Sequence, residues 1–199
     1  KSFKIKIGFD NNLDLNLINK IINLRSSNEN IMFDVNQAWN IKKANKYLKL
    51  LKQFPIHWIE EPISAMTNDS EYLSLINSSN IPIALGENIS NESQFELFLK
   101  NKNIQFIQPD ITKFGGISFI QNYLNSKFKK KFYLHFLGSG VGFITSAHVM
   151  SAINKDGLLE TDFNDNPLRD LIFRESIKIL NGQILLSKRP GIGYSLNKF

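Results

Sequence analysis

The chain has 199 residues, 42% hydrophobic and 21% charged, a balance that suits one soluble globular domain with a sizeable core. Its net charge of +6 comes from scattered lysines apart from Lys127-Phe128-Lys129-Lys130-Lys131. No basic stripe with interleaved aromatics appears, so nucleic acid is not an expected partner, whereas a small anionic substrate suits the charge. The absence of cysteine excludes a disulfide framework and a thiolate site and is compatible with a reducing cytoplasm, the expected compartment. No run approaches the roughly 18 apolar residues of a membrane span and no signal sequence opens the chain, so neither membrane nor export is expected.

Strand-like runs alternate with helix-like runs almost throughout, the pattern of a parallel sheet covered by helices. Strands are predicted at residues 3–8, 31–36, 57–61, 83–87, 104–109, 132–136 and 158–162. The first helix, 13–24, carries Leu13, Leu17, Ile18, Ile21 and Leu24 on one face. Further helices are predicted at 41–54, 69–77, 92–100, 117–128 and 141–153. Asp69 and Ser90 or Asn91 are candidate N-caps, and Gly115-Gly116 opens the helix after the fifth strand. Residues 175–186 alternate across Asn181-Gly182, a strong hairpin signal.

The fold class expected is α/β, a (β/α)₈ TIM-type barrel that is incomplete here. Seven strands would leave the first one unpaired, and parallel sheets do not normally leave such an edge open. The start at Lys1-Ser2-Phe3, without Met and directly in a strand, gives the same expectation of a piece lacking at least one N-terminal β/α unit.

Catalytic groups of such a fold sit at the carboxyl ends of its strands. Three acids fall there in successive repeats: Asp34, Glu60 and Glu87, at intervals of 26 and 27 residues. Converging carboxylates would repel one another unless a hard divalent cation held them, and Mg²⁺ favours oxygen ligands. Lys4 and Lys6, two apart, project from one strand face. Asp110 ends the fifth strand, His135 the sixth and Glu160 the seventh, and Asp110 would hold the His135 imidazole in one tautomer. Taken singly, each is ordinary: strand-start lysines are usually solvated, and single acids often cap helices. Glu61 would point to the opposite face if extended and reads as structural. His57 and His148 read as core or surface histidines. Arg169 is a candidate contact for a distal carboxylate, with a surface salt bridge the weightier alternative.

As a set, Lys4-Ile-Lys6, Asp34-Val-Asn36, Ile59-Glu60-Glu61-Pro62, Gly86-Glu87-Asn88, Pro109-Asp110-Ile-Thr-Lys113-Phe-Gly115-Gly116, His135 and Leu159-Glu160 resembles the enolase superfamily. More narrowly it resembles the mandelate racemase subgroup (mandelate racemase/muconate lactonizing enzyme family), which holds racemases and many acid-sugar dehydratases. Where muconate-lactonizing-type members carry a second catalytic Lys on the sixth barrel strand, this chain has Asp110. Where they often have Asp as the third metal ligand, it has Glu87.

The resemblance covers nearly the whole chain and implies that residues 1–199 are the C-terminal barrel domain from its second strand to its eighth. It also implies an N-terminal capping domain, absent here, on which the hairpin at 175–186 would pack. Asp34, Glu60 and Glu87 would bind Mg²⁺. Lys6 would be one acid/base group and the Asp110–His135 pair the other. Lys4 would assist near the substrate carboxylate, Glu160 would hydrogen-bond the enolate, and Asn36 would contact substrate. The expected reaction is abstraction of the α-proton of a carboxylate through a stabilised enediolate, leading to dehydration of an acid sugar or related hydroxy acid to a 2-keto-3-deoxy acid. The same two bases would serve a racemase or epimerase of a 2-hydroxy or amino acid. A non-catalytic metal- and acid-binding barrel, or an inactive fragment, is the reading from another class. An even-numbered homo-oligomer is the family habit, and little or no activity is expected of the 199 residues alone.

Overall fold

The computed structural model describes residues 1–124, 130–153, 157–162 and 164–197. The chain divides into two compact units, Lys1–Ile107 and Gln108–Phe199.

In the first unit, strands and helices alternate: β1 (Ser2–Lys6), α1 (Asn11–Leu24), β2 (Asn30–Asp34), α2 (Ile41–Leu51), β3 (Trp58–Glu60), α3 (Asp69–Ser78), β4 (Ile83–Leu85), α4 (Glu92–Lys100) and β5 (Phe106–Ile107). The five strands pair in sequence order and all in parallel. Register places Phe33, Ile59 and Ile83 in one row and Lys6, Asp34, Glu60 and Ala84 in another, whose side chains share the opposite face. Both rows are buried from β2 onward, as a parallel sheet requires. Each helix is capped by a short polar side chain that accepts backbone N–H groups of the first turn: Asp10, Asn40, Asn68 and Asn91. Such caps contribute about 1 kcal/mol each. The third cap is therefore Asn68 and not Asp69.

The predicted apolar face of α1 is corrected. Only Ile18 of that face is fully buried, while Leu13 and Leu24 are 68% and 75% exposed. The helix turns Asp14 inward instead, because its carboxylate accepts the Gly8 N–H just beyond β1 (2.9 Å). The buried stripe thus runs through Asp14 and Ile18, one residue out of phase with the leucines.

β1 to β4 end earlier than predicted, and left-handed backbone follows each of them. Gly8 (φ 104) follows β1, Asn36 (φ 49) and Gln37 (φ 65) follow β2, Glu61 (φ 38) follows β3, and Gly86 (φ 143) follows β4. Asn36, Gln37 and Glu61 adopt this region without being glycine, a strain that persists only where surrounding contacts over-determine it.

The second unit holds α5 (Gly116–Leu124), β6 (Lys131–Phe132), α6 (Gly140–Ile153), α7 (Pro167–Asp170), β7 (Ile179–Leu180) and β8 (Gln183–Ile184). The end of the predicted helix at 117–128 and part of the lysine run lie outside the described residues. One core cluster of this unit is Phe136, Phe143, Ile144 and Phe173, with Ile177, Ile184, Ile192 and Tyr194 packed against it. β7 and β8 form the expected antiparallel hairpin, with Asn181 (φ 52) and Gly182 (φ 75) as its two turn residues. Ile184 lies on the core side, and Ile179, Leu180 and Leu185 are exposed. No strand forms at 158–162: a backbone bond from Glu160 N–H to Leu134 C=O (3.4 Å) stands where the seventh strand was expected.

Candidate active site

In the first unit the candidate residues stand at the carboxyl ends of β1 to β4. The register row Lys6–Asp34–Glu60 brings three of them onto neighbouring strands. Lys6 Nζ meets Asp34 Oδ2 at 2.5 Å, and Lys4 Nζ meets Glu60 Oε1 at 2.5 Å and Asp34 Oδ2 at 3.7 Å. Both carboxylates are 1% exposed, and burying them this deeply demands compensating charge. Lys4 is largely covered, while the Lys6 side chain is 47% exposed and reaches solvent.

The remaining carboxylate oxygens are also engaged. Trp58, two residues before Glu60 and on the same face, donates its indole N–H to Glu60 Oε2 (3.1 Å). Asn36 donates its backbone N–H to Asp34 Oδ1 (2.7 Å) and its side-chain amide to Glu87 Oε1 (3.4 Å). Asn88 joins Glu87 to Glu61 through one amide nitrogen, 2.9 Å from Glu87 Oε1 and 2.6 Å from Glu61 Oε2. Burial, and then the Glu87 charge, push the Glu61 carboxyl up to about 7. Glu61 is not extended, and Asn88 donates its backbone N–H to Oε1 (3.3 Å) and its side-chain amide to Oε2 (2.6 Å).

Among the described residues, no three acids or histidines are gathered as a ready metal cage. The donor chemistry nevertheless suits a hard cation: three carboxylates are buried, and two of them, the register partners Asp34 and Glu60, already face ammonium groups.

In the second unit Asp110 (3% exposed) and His135 (5%) form the expected pair, with Oδ2 of Asp110 3.0 Å from Nδ1 of His135. Asp110 Oδ1 accepts the backbone N–H (2.8 Å) and the hydroxyl (2.6 Å) of Thr112. Burial raises the Asp110 pKa, but hydrogen bonds from His135 and Thr112 outweigh it and hold the carboxyl below its ordinary value. Oε2 of Glu160 lies 3.7 Å from the other imidazole nitrogen, Nε2. An open cavity of about 550 Å³, lined by Ile111, Thr112, Ile117, Phe136 and Val141 among others, adjoins the segments that carry Asp110 and His135.

The residues read as structural have ordinary surroundings. His57 packs against the Trp58 and Phe106 rings, His148 lies 3.2 Å from the Ile192 carbonyl, and Arg169 is bound by Asp170 and the Asp162 carbonyl. Trp58, Asn88 and Thr112 were missed. Trp58 could have been found from its two-residue spacing to Glu60. Thr112 could have been found from the habit of hydroxyls to bond short-range acceptors.

The chain matches the family model for the enolase C-terminal domain-like fold over residues 1–199. It belongs to the enolase superfamily and, within it, to the mandelate racemase/muconate lactonizing enzyme family. Among curated proteins it is 29% identical to the arabinonate dehydratase of Saccharolobus solfataricus, over 98% of this chain and 53% of that protein. Among solved structures it resembles the 3,6-anhydro-D-galactonate cycloisomerase of Zobellia galactanivorans, with a TM-score of 0.87, 27% identity, and 99% and 56% of the two chains covered. It also resembles an L-talarate/galactarate dehydratase mutant liganded with Mg and L-glucarate, with a TM-score of 0.82, 26% identity, and 98% and 48% covered. The chain thus spans about half the length of the curated relatives it matches. No helix among the described residues is long and apolar enough to cross a membrane.

Proposed function

We propose that the protein containing this chain removes the α-proton of a carboxylate substrate with the help of Mg²⁺. The product is the 2-keto-3-deoxy acid formed by dehydrating an acid sugar or related hydroxy acid. The observation that carries this reading is the register row Lys6–Asp34–Glu60: an ammonium group in line with two buried carboxylates at the strand ends, in a relative of named acid-sugar dehydratases.

Asp34, Glu60 and Glu87 would hold the metal. Mg²⁺ when bound would supply Lewis-acid neutralisation of the substrate carboxylate. Lys6, neutral at that moment, takes the α-proton, and its exposure gives it access to a bound acid. Lys4, anchored on Glu60, adds fixed positive charge near the same oxygens. Asp110 holds His135 with Nδ1 inward and stabilises its imidazolium form, whose Nε2–H delivers a proton to the departing β-hydroxyl and so releases water. Glu160, beside Nε2, hydrogen-bonds the enediolate if it carries a proton, and Asn36 supports the pocket from the end of β2.

We place residues 1–199 as the barrel portion of a longer enzyme, with the exposed Ile179, Leu180 and Leu185 of the hairpin directed to a capping region, and the assembly as a homo-oligomer. A second reading, cycloisomerisation by the same bases, is supported by the likeness to the Zobellia enzyme.

The test uses the longest natural polypeptide containing this sequence, Mg²⁺ and a panel of sugar acids, with a carbonyl reagent to score 2-keto acid. A keto product that requires Mg²⁺ and His135 supports dehydration. Ring opening of a lactone or anhydro acid without net loss of water moves the assignment to cycloisomerase. Inversion with deuterium uptake at the α-carbon and no keto group moves it to racemase or epimerase.

A further inference from the structure

The two oxygens of Asp110 have different partners. Oδ2 faces His135 Nδ1, while Oδ1 accepts both the backbone N–H and the hydroxyl of Thr112. An isolated carboxylate beside an imidazole can rotate about its last torsion and swap its oxygens, since that torsion is broad and roughly two-fold. Two donors on a single oxygen remove this freedom. The hydroxyl bond, at 2.6 Å, is the shorter, as expected for O–H donated to an anion. Thr112 also stands on the wall of the 550 Å³ cavity, where it is exposed and carries little packing.

We infer that Thr112 is a positioning residue of this site: its hydroxyl fixes the Asp110 carboxylate so that Oδ2 stays on His135 Nδ1 and Nε2 stays turned to the reacting side, next to Glu160. The inference rests on the role proposed above for the Asp110–His135 pair. It adds to that role a third member, which acts through Asp110 and touches no substrate. The backbone N–H of residue 112 survives any substitution except proline, so the hydroxyl is the separable part.

Thr112→Val keeps the side-chain volume and removes the hydroxyl, and Thr112→Ser keeps the hydroxyl. Nitrogen NMR of histidine-labelled protein reads the His135 tautomer with no substrate present, and steady-state kinetics with a converted sugar acid reads kcat and KM separately. The wild type is expected to show one tautomer with the proton on Nδ1. Thr112→Val is expected to show a mixture, with kcat about tenfold lower for one lost hydrogen bond to a charged group and KM within about twofold. Thr112→Ser should restore both readings. A Thr112→Val protein with the wild-type tautomer and kcat overturns the inference, as does a loss that Thr112→Ser fails to restore. If His135→Asn instead leaves activity intact, it is the proposed role of the pair that fails, while the tautomer spectrum still judges Thr112.

Discussion

Lys6 and Asp34 are register partners on adjacent parallel strands, and the Lys6 ammonium lies against the Asp34 carboxylate at 2.5 Å. The proposed base and a proposed metal ligand therefore share a charge pair. Removing the ammonium should weaken proton abstraction and strengthen cation binding together. Lys6→Met is expected to lower kcat by about 10²–10⁴, the range of a general acid–base group. Calorimetric titration should at the same time show tighter Mg²⁺ binding, because the competing positive charge is gone. A variant with weaker Mg²⁺ binding would contradict this.

Glu60 is held from two sides, by Lys4 on Oε1 and Trp58 on Oε2. Trp58→Phe keeps the aromatic packing on His57 and Phe106 and removes the indole donor. It should weaken Mg²⁺ binding roughly tenfold, as loss of an outer hydrogen-bond partner does. Glu60→Gln should weaken it further. Equal affinities in all three proteins would remove Glu60 from the metal site.

The Glu61 carboxyl stands at about 7 in the fold, against an ordinary 4.5. A raised folded-state value favours the protonated form. The stability linked to it is full below about pH 4.5 and is lost as pH rises through 7, to the order of 3 kcal/mol. In EDTA, wild type and Glu61→Gln should melt together near pH 4.5. The variant should then pull ahead by several degrees at pH 8. Parallel melting curves across that range would refute the buried, charge-repelled environment of Glu61.

His135 and Lys6 are assigned different protons. His135→Asn should leave exchange of the substrate α-proton with heavy water measurable by NMR while reducing keto product by about 10²–10⁴. Loss of both signals in parallel would mean that His135 is also needed for the first step.

The repeating alternation of strand and helix was legible because period and length both point one way. So were the strand-end acids, since a parallel unit puts its ends at fixed intervals. The hairpin was legible from Asn181-Gly182, whose φ values of 52 and 75 match a two-residue turn. The burial of α1 was not. Its leucine pattern was sound, but the single bond from Asp14 to Gly8 turned the helix by one residue, and no hydropathy pattern contains that bond. Strand lengths were overestimated at Asn36 and Glu61, where non-glycine residues take left-handed backbone that composition does not announce. The support of Asp110 by Thr112 was legible only as a local bond: a threonine two residues from an aspartate is common, and only the paired histidine gives it meaning.

The most direct measurement follows deuterium placed at C2 of a sugar acid that the protein converts in ordinary water. Mg²⁺-dependent turnover is expected, in which all of that deuterium passes to solvent, with a primary isotope effect on kcat/KM. Keto product that forms equally well without Mg²⁺ would contradict the roles given to Asp34, Glu60 and Glu87, and undiminished loss of the label from a Lys6→Met protein would contradict that of Lys6.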